Sequence, residues 1–182
     1  MVDLFNRLFV ARDAYAPLIV ESRTVVDGSR VGGAPPVASP AGMRFYLTIE
    51  GRDVDVRCAG TALSFFCDER DVGTIRLVVH ASARSASPGR AITVGDLITE
   101  RSGLPALPAL GAMTSKIGGR PGYVQHELRE DVGDLEFVFQ WLEDSMPTDL
   151  PILIGDGAIY VFARRQHRSF DLHSACAFVQ LG

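Results

Sequence analysis

The chain of 182 residues has no run of eighteen apolar residues, so no membrane span is expected. Its opening stretch, MVDLFNRLFVARDAY, interrupts its apolar residues with Asp3, Arg7, Arg12 and Asp13, and so lacks the uncharged segment of a secretory leader. Three cysteines, Cys58, Cys67 and Cys176, stand far apart with no CxxC pair, which argues against a zinc knuckle or a disulfide framework. Each lies among apolar residues, where a free thiol packs as a small hydrophobe. A reducing, cytoplasmic setting is expected. Lysine is nearly missing: Lys116 is the only one among 18 basic residues. Against 22 acids these leave a formal charge of −4. That balance disfavours nucleic acid as a partner, because phosphate binding needs a basic surface.

Catalytic signatures are missing too. Neither G-x-x-x-x-G-K-[ST] nor G-x-G-x-x-G occurs, so no nucleotide cofactor is expected. In HELRE, from His126, Glu130 stands where a zincin helix needs its second His, so no metal site is expected. There is no G-x-S-x-G elbow, and His173 and Ser174, adjacent on an expected strand, point to opposite faces. His167, His173 and Asp171 read as surface polar residues. Cys67 and Cys176 lack the basic neighbour or helix N-terminus that makes a thiolate reactive. The chain therefore reads as non-enzymatic.

What the sequence has is alternation. Hydrophobic residues make up 47% of the chain, enough for a core without staples. Residues 2–14 space Leu4, Leu8 and Ala11 as a short helix does. PLIVESRTVV reads as a strand. MRFYLTIEG alternates Phe45, Leu47 and Ile49 with Arg44, Tyr46, Thr48 and Glu50, a strand with one buried face. GTALSFFCD and GTIRLVVHAS form a hairpin across DERDVG. TVGDLITERSG reads as a second short helix, with Thr93 as cap and Gly103 as stop. DLEFVFQWLED reads as a strand screened on both sides, or as an edge packed against the other half. AIYVF and SFDLHSACAFVQL close the list of strands.

The acids are unevenly placed. Glu127, Glu130, Asp131, Asp134, Glu136, Glu143, Asp144, Asp149 and Asp156 face one base, Arg129, within a thirty-residue stretch. Two readings stand: solvated loops and strand faces, or a patch that steers a basic partner into contact. Glu127, Glu130, Asp131, Asp134, Glu143, Asp144 and Asp149 are the candidates for such a patch.

SRVGGAPP at Ser29 returns as SKIGGRPG at Ser115, 86 residues later. FYLTIEGRD then matches FVFQWLEDS at an offset of 92, and GTALSFFCD matches GAIYVFARR at about 96. The shared order implies an internal duplication, with halves at about 22–84 and 105–182 in a single domain. Gly32-Gly33 with Pro35, and Gly118-Gly119 with Pro121, read as bends that need positive φ and then end a ladder. Arg30 and Lys116 are expected to snorkel outward. An anion nest of backbone N–H groups is the alternative use of these turns. Gln125 and Gln140 are amides among large apolar residues; they either lock the bends or, with Tyr123 and Trp141, line a cleft between the halves.

SKIGGRPGYVQHE, FVFQWLED and GDGAIYVF together resemble the YwqG-like family, bacterial proteins of unassigned biochemical function. Ser115, Lys116, Gly118, Gly119, Pro121, Tyr123, Gln125, Gln140, Gly155, Asp156 and Gly157 occupy that family's pattern. Tyr123 stands where Trp is common, and Ile117 where Phe is common. The first half keeps Ser29, Gly32, Gly33 and Pro35 but not the Lys or the Gln. The likeness covers most of residues 22–182. It implies an α+β fold with mainly antiparallel sheet and two similar halves, and it implies no catalytic residues. Some relatives accompany toxins of bacterial competition. The expectation is thus a cytoplasmic immunity protein that neutralises a cognate toxin with a basic cleft. The alternative is a small-molecule or peptide-binding module using the cleft between the halves.

Overall fold

The computed structural model describes residues 14–71, 73–99, 113–125, 132–147, 149–150 and 153–182. The expected helix at 2–14 lies outside them. Within them the chain is mostly antiparallel sheet, 52% strand against 7% helix, wound into a nearly closed, barrel-like form. The strands are β1 (Ala14–Val25), β2 (Arg30–Val31), β3 (Met43–Glu50), β4 (Thr61–Asp68), β5 (Ile75–Ala81) and β6 (Gly89–Val94). They continue with β7 (Ile98–Thr99), β8 (Lys116–Gly118), β9 (Glu136–Leu142), β10 (Ala158–Gln166) and β11 (Ser169–Gln180). A single helical turn, α1 (Gly51–Val54), follows β3.

The order across the sheet is β11-β10-β9-β8-β1-β6-β2-β3-β4-β5, with β7 beside β1. The two end strands, β5 and β11, pack against each other and almost close the wall. From either end inward, the sheet presents a hairpin, a bulged strand, a very short strand and a central strand. Arg30 opposes Thr48 and Thr48 opposes Ser64 in the first array, β2 to β5. Lys116 opposes Gln140 and Gln140 opposes Tyr160 in the second, β8 to β11. A bulge interrupts β3 against β4 between Phe45 and Leu47. Another interrupts β10 against β9 between Val161 and Phe162. Beyond each bulge two phenylalanines meet edge-on: Phe45 with Phe66 at 5.7 Å, and Phe137 with Phe162 at 5.7 Å. β1 and β6 join the arrays, with Ile19 opposite Thr93.

Alternation explains the interior. Leu47, Ile49, Leu63 and Phe65 from the first array meet Phe139, Trp141, Ile159 and Val161 from the second in one core. Because each bulge adds a residue without a partner, Tyr46 and Val138 also turn into this core, next to Leu47 and Phe139. A smaller cluster, Leu142, Ala158, Tyr160 and Phe162, lies on the outer side of the second array under Tyr123, Val124 and Leu135.

Two expectations are corrected. β3 is buried on both faces from Phe45 to Glu50, not on one, since Thr48 and Glu50 face other polar groups instead of water. Residues 93–94 end β6 and residues 98–99 form β7, with no helix across 93–99, because Val94 and Ile98 find ladder partners on β1. Propensity in so short a segment yields to sheet pairing.

Candidate functional site

The two Ser-x-x-Gly-Gly corners do the same work. Ser29 Oγ accepts the Glu50 N–H at 2.8 Å, and Ser115 Oγ accepts the Leu142 N–H at 2.8 Å. The Ser29 carbonyl accepts from Ile92 at 2.9 Å, and the Ser115 carbonyl from Leu18 at 2.8 Å. Each serine thus ties its corner to a long strand and to a central strand. Gly32 and Gly33 have φ of 70° and 77°, and Gly118 and Gly119 have 73° and 72°, as the motif predicts. At Gly33 a side chain is excluded twice, since a Cβ there would lie 2.6 Å from the Pro88 carbonyl carbon. The Gly32 N–H is already bonded to the Tyr46 carbonyl at 2.8 Å, so the first corner is a structural bend and not an open nest.

Arg30 and Lys116 do not snorkel; both are 0% exposed. Their strands lie inside the sheet, and the register sets each cation beside a buried polar residue of the neighbouring strand. Lys116 Nζ sits 4.8 Å from the centre of the Tyr15 ring, a cation–π contact. Arg30 is less well served. Its Nη1 donates to the Gly28 carbonyl at 2.9 Å. Among the described residues, Nε and Nη2 have no hydrogen-bond partner. Burial lowers the pKa of this guanidinium, and the charges of Glu50 and Asp27 partly offset that. Nε–H and Nη2–H form one edge of the guanidinium, the fork that grips a carboxylate or phosphate side-on.

The same face carries a chain of hydroxyls. His80 Nδ1 lies 2.7 Å from the Ala81 carbonyl, so in the neutral ring the proton sits there and Nε2 accepts. Ser64 Oγ, 2.8 Å from Nε2, then donates to it, and Thr48 Oγ1, 2.8 Å from Ser64, donates in turn. Glu50 accepts from Ser82 at 2.5 Å.

At one end of this face, where β3 passes into α1 and β4 begins, a pocket of about 330 Å³ opens. Asp27, Gly28, Glu50, Arg52, Ser82 and Arg84 line it. Arg52 reaches over Gly28: its Nη2 lies 3.6 Å from where a Cβ would stand. Arg30 bonds the carbonyl of that same glycine. Two guanidinium groups therefore converge on Gly28, and among the described residues neither makes an ion pair. Sequence reading missed this site because a basic residue on a two-residue strand looks solvent-bound. The available signal was the cation held at the same place in both corners.

The described members of the expected acidic patch sit in different surroundings. Glu127, Glu130 and Asp131 lie outside the described residues. Glu143 is 4% exposed and is not a surface acid. Its carboxylate accepts the N–H groups of Leu153 and Ile154 and the Tyr46 hydroxyl, and Trp141 Nε1 donates to that hydroxyl at 3.0 Å. Burial and the Glu143 charge push the Tyr46 hydroxyl pKa up. Asp149 pairs with Arg90 at 2.7 Å, and Asp134, with its side chain 81% exposed, approaches Arg164 at 3.9 Å. Asp144 is exposed.

The expected cleft of Tyr123, Gln125, Gln140 and Trp141 is not one cavity. Gln140 points outward and Trp141 inward, since neighbours on a strand face opposite ways. Gln140 accepts from Gly122 N at 2.7 Å and donates to the Thr114 carbonyl at 2.8 Å, which locks both flanks of the second corner. Gln125 is exposed. Tyr123 stacks against Tyr160 at 5.4 Å, and Tyr160, its pKa raised by burial to about 12, donates to the Gly122 carbonyl. Pro35 and Pro121 flank their corners as expected.

Cys58 and Cys67 are buried, and Cys176 is exposed. Burial raises the Cys67 thiol to about 12. Among the described residues no three His, Cys, Asp or Glu side chains group to hold a metal ion, and no helix is long and apolar enough to cross a membrane. No family model, curated protein or solved structure matches the chain.

Proposed function

We propose that this chain is a binding protein made of two copies of one β unit, whose first copy keeps an open site for an anionic group. Several coincidences support the duplication. Thr48 and Gln140 take the same place in their arrays at an offset of 92, and Ser64 and Tyr160 do so at 96. The first is the offset of the sequence match, and the second is one residue short of the 97 that separates Gly60 from Gly157. The bulges, the edge-on phenylalanines and the two serine locks also correspond. In this reading β6 belongs to the first unit and β1 to the second, which moves the boundaries from those expected.

One observation carries the binding reading: Arg52 and Arg84 line the pocket beside Gly28, and among the described residues neither makes an ion pair. Guanidinium groups that line a pocket without a carboxylate partner are free to grip an anionic group. The test is thermal unfolding of the full chain in inorganic phosphate. Occupancy at about 100 times Kd stabilises by about 2.7 kcal/mol, an upward shift of several degrees. The shift should shrink in Arg52→Gln and survive in Arg23→Gln. Equal shifts in all three proteins would refute specific binding.

A protein partner is the second reading, favoured by Asp144, exposed in the acidic stretch and, among the described residues, without an ion pair. Its specific form is immunity against a cognate toxin with a basic cleft. Co-expression with a toxin encoded beside this chain should then restore growth, and the two should co-purify. Continued growth arrest would sink it.

A further inference from the structure

Another pocket, of about 510 Å³, opens at the opposite end of β3 from the one beside Gly28. Its walls come from both arrays: Val31 and Tyr46 on one side, and Leu150 and Leu153, which follow β9, on the other. Val31 and Tyr46 belong to the central core, and Leu150 and Leu153 pack against it. The core of the nearly closed barrel therefore comes to the surface here. The mouth of a β-barrel is a usual place for a small-molecule site, and the volume lies within the usual range. The wall is bare at Gly32, where a Cβ would meet nothing within 4 Å.

Two charged residues line this pocket, Arg44 and Glu69, and both are exposed. Arg44 stands directly opposite Cys67, whose side chain joins the core, so Arg44 rises from the inner side of the sheet. Its charge reaches the Cys67 thiol and opposes the rise that burial imposes there. Among the described residues neither Arg44 nor Glu69 makes an ion pair.

An apolar floor with one cation and one anion beside it calls for a ligand with three parts. A hydrocarbon group covers Val31, Leu150 and Leu153 and removes them from water. A carboxylate is drawn to Arg44, and an ammonium group to Glu69. A carboxylate without the amine is repelled by Glu69, and an amine without the carboxylate by Arg44. We infer that this pocket binds a free α-amino acid with a large apolar side chain. The site shares no lining residue with the anion pocket, so each reading stands or falls separately.

Calorimetric titration of the full chain tests this. The probes are L-leucine and L-phenylalanine, the deaminated and decarboxylated analogue of each, and L-alanine. L-leucine or L-phenylalanine is expected to bind at least about tenfold more tightly than L-alanine, the burial of a large side chain being worth more than that factor. The same amino acid should bind severalfold more tightly than either of its analogues. Arg44→Gln and Glu69→Gln, both exposed substitutions, should each weaken it severalfold, whereas Arg23→Gln should not. An analogue as tight as its parent would overturn the paired charge contacts and with them the inference. L-alanine binding as tightly as the larger pair would overturn the apolar contact. Unchanged affinity in both pocket variants would put the ligand elsewhere, and silence from every probe would leave no site here at all.

Discussion

The outer faces of the two arrays share a register and differ in chemistry. In the first array the row is Arg30, Thr48 and Ser64, with His80 at its end. In the second it is Lys116, Gln140, Tyr160 and Phe178. The second face is closed: Gln140 and Tyr160 bond to the segment around Gly122, and Tyr123 packs on Tyr160. The first face ends in a pocket lined by Asp27, Glu50, Arg52 and Arg84, and within that face the buried Arg30 keeps a guanidinium edge without a hydrogen-bond partner among the described residues. The inner faces barely differ, because both feed one core. Packing fixes the inward residues of such a frame, and the outward residues are left free to acquire different roles.

Four tests would break or sharpen that contrast. The largest effect is expected at Gly33, where alanine adds an αL penalty of about 1–2 kcal/mol and an overpacking term of about 1–3 kcal/mol against Pro88. Gly32→Ala meets nothing within 4 Å and should cost only the first. Urea unfolding of the two variants compares them, and equal losses would count against the close approach.

Next is Glu143→Ala, which strands the buried Ile154 N–H at about 1–3 kcal/mol and leaves the partly buried Leu153 N–H to water. Glu50→Ala removes the acceptor of one partly exposed hydroxyl and should cost about 1 kcal/mol. A reversed order would mean that the carboxylate between the arrays is dispensable.

Third, Arg30→Met should stabilise the chain by about 1–3 kcal/mol, because it removes a buried charge that has poor compensation. Lys116→Met should destabilise it, since Lys116 is held over Tyr15. Opposite signs at matched positions give a sharp test by thermal unfolding. Smallest is Asp134→Asn, whose exposed partner Arg164 is 3.9 Å away; a change within about 0.5 kcal/mol is expected.

Strand alternation made β3, β4, β5, β9, β10 and β11 legible, and the paired Gly-Gly-x-Pro turns announced their positive φ. Long-range pairing was not legible. Nothing near Glu143 in the sequence says that Tyr46, almost a hundred residues earlier, will donate to it. The bulge that turns Tyr46 inward depends on β4, so alternation alone placed Tyr46 on the wrong side. Arg30 was misread for a related reason: burial of a cation is decided by the strands around it, not by its own type. The acids after Glu127 looked like one patch because adjacency in sequence was taken for adjacency in space; Glu143 went inward and Asp149 found Arg90.

The position of β1 has a consequence for the order of assembly. During synthesis this segment emerges before every strand it will pair with, and its neighbours β6 and β8 appear some seventy and a hundred residues later. The first array can knit from local hairpins while β1 waits unpaired, an early strand with an exposed edge. Final closure must thread that waiting segment between two finished neighbours. The slowest stage of folding is therefore expected at the middle of the wall, not at its seam.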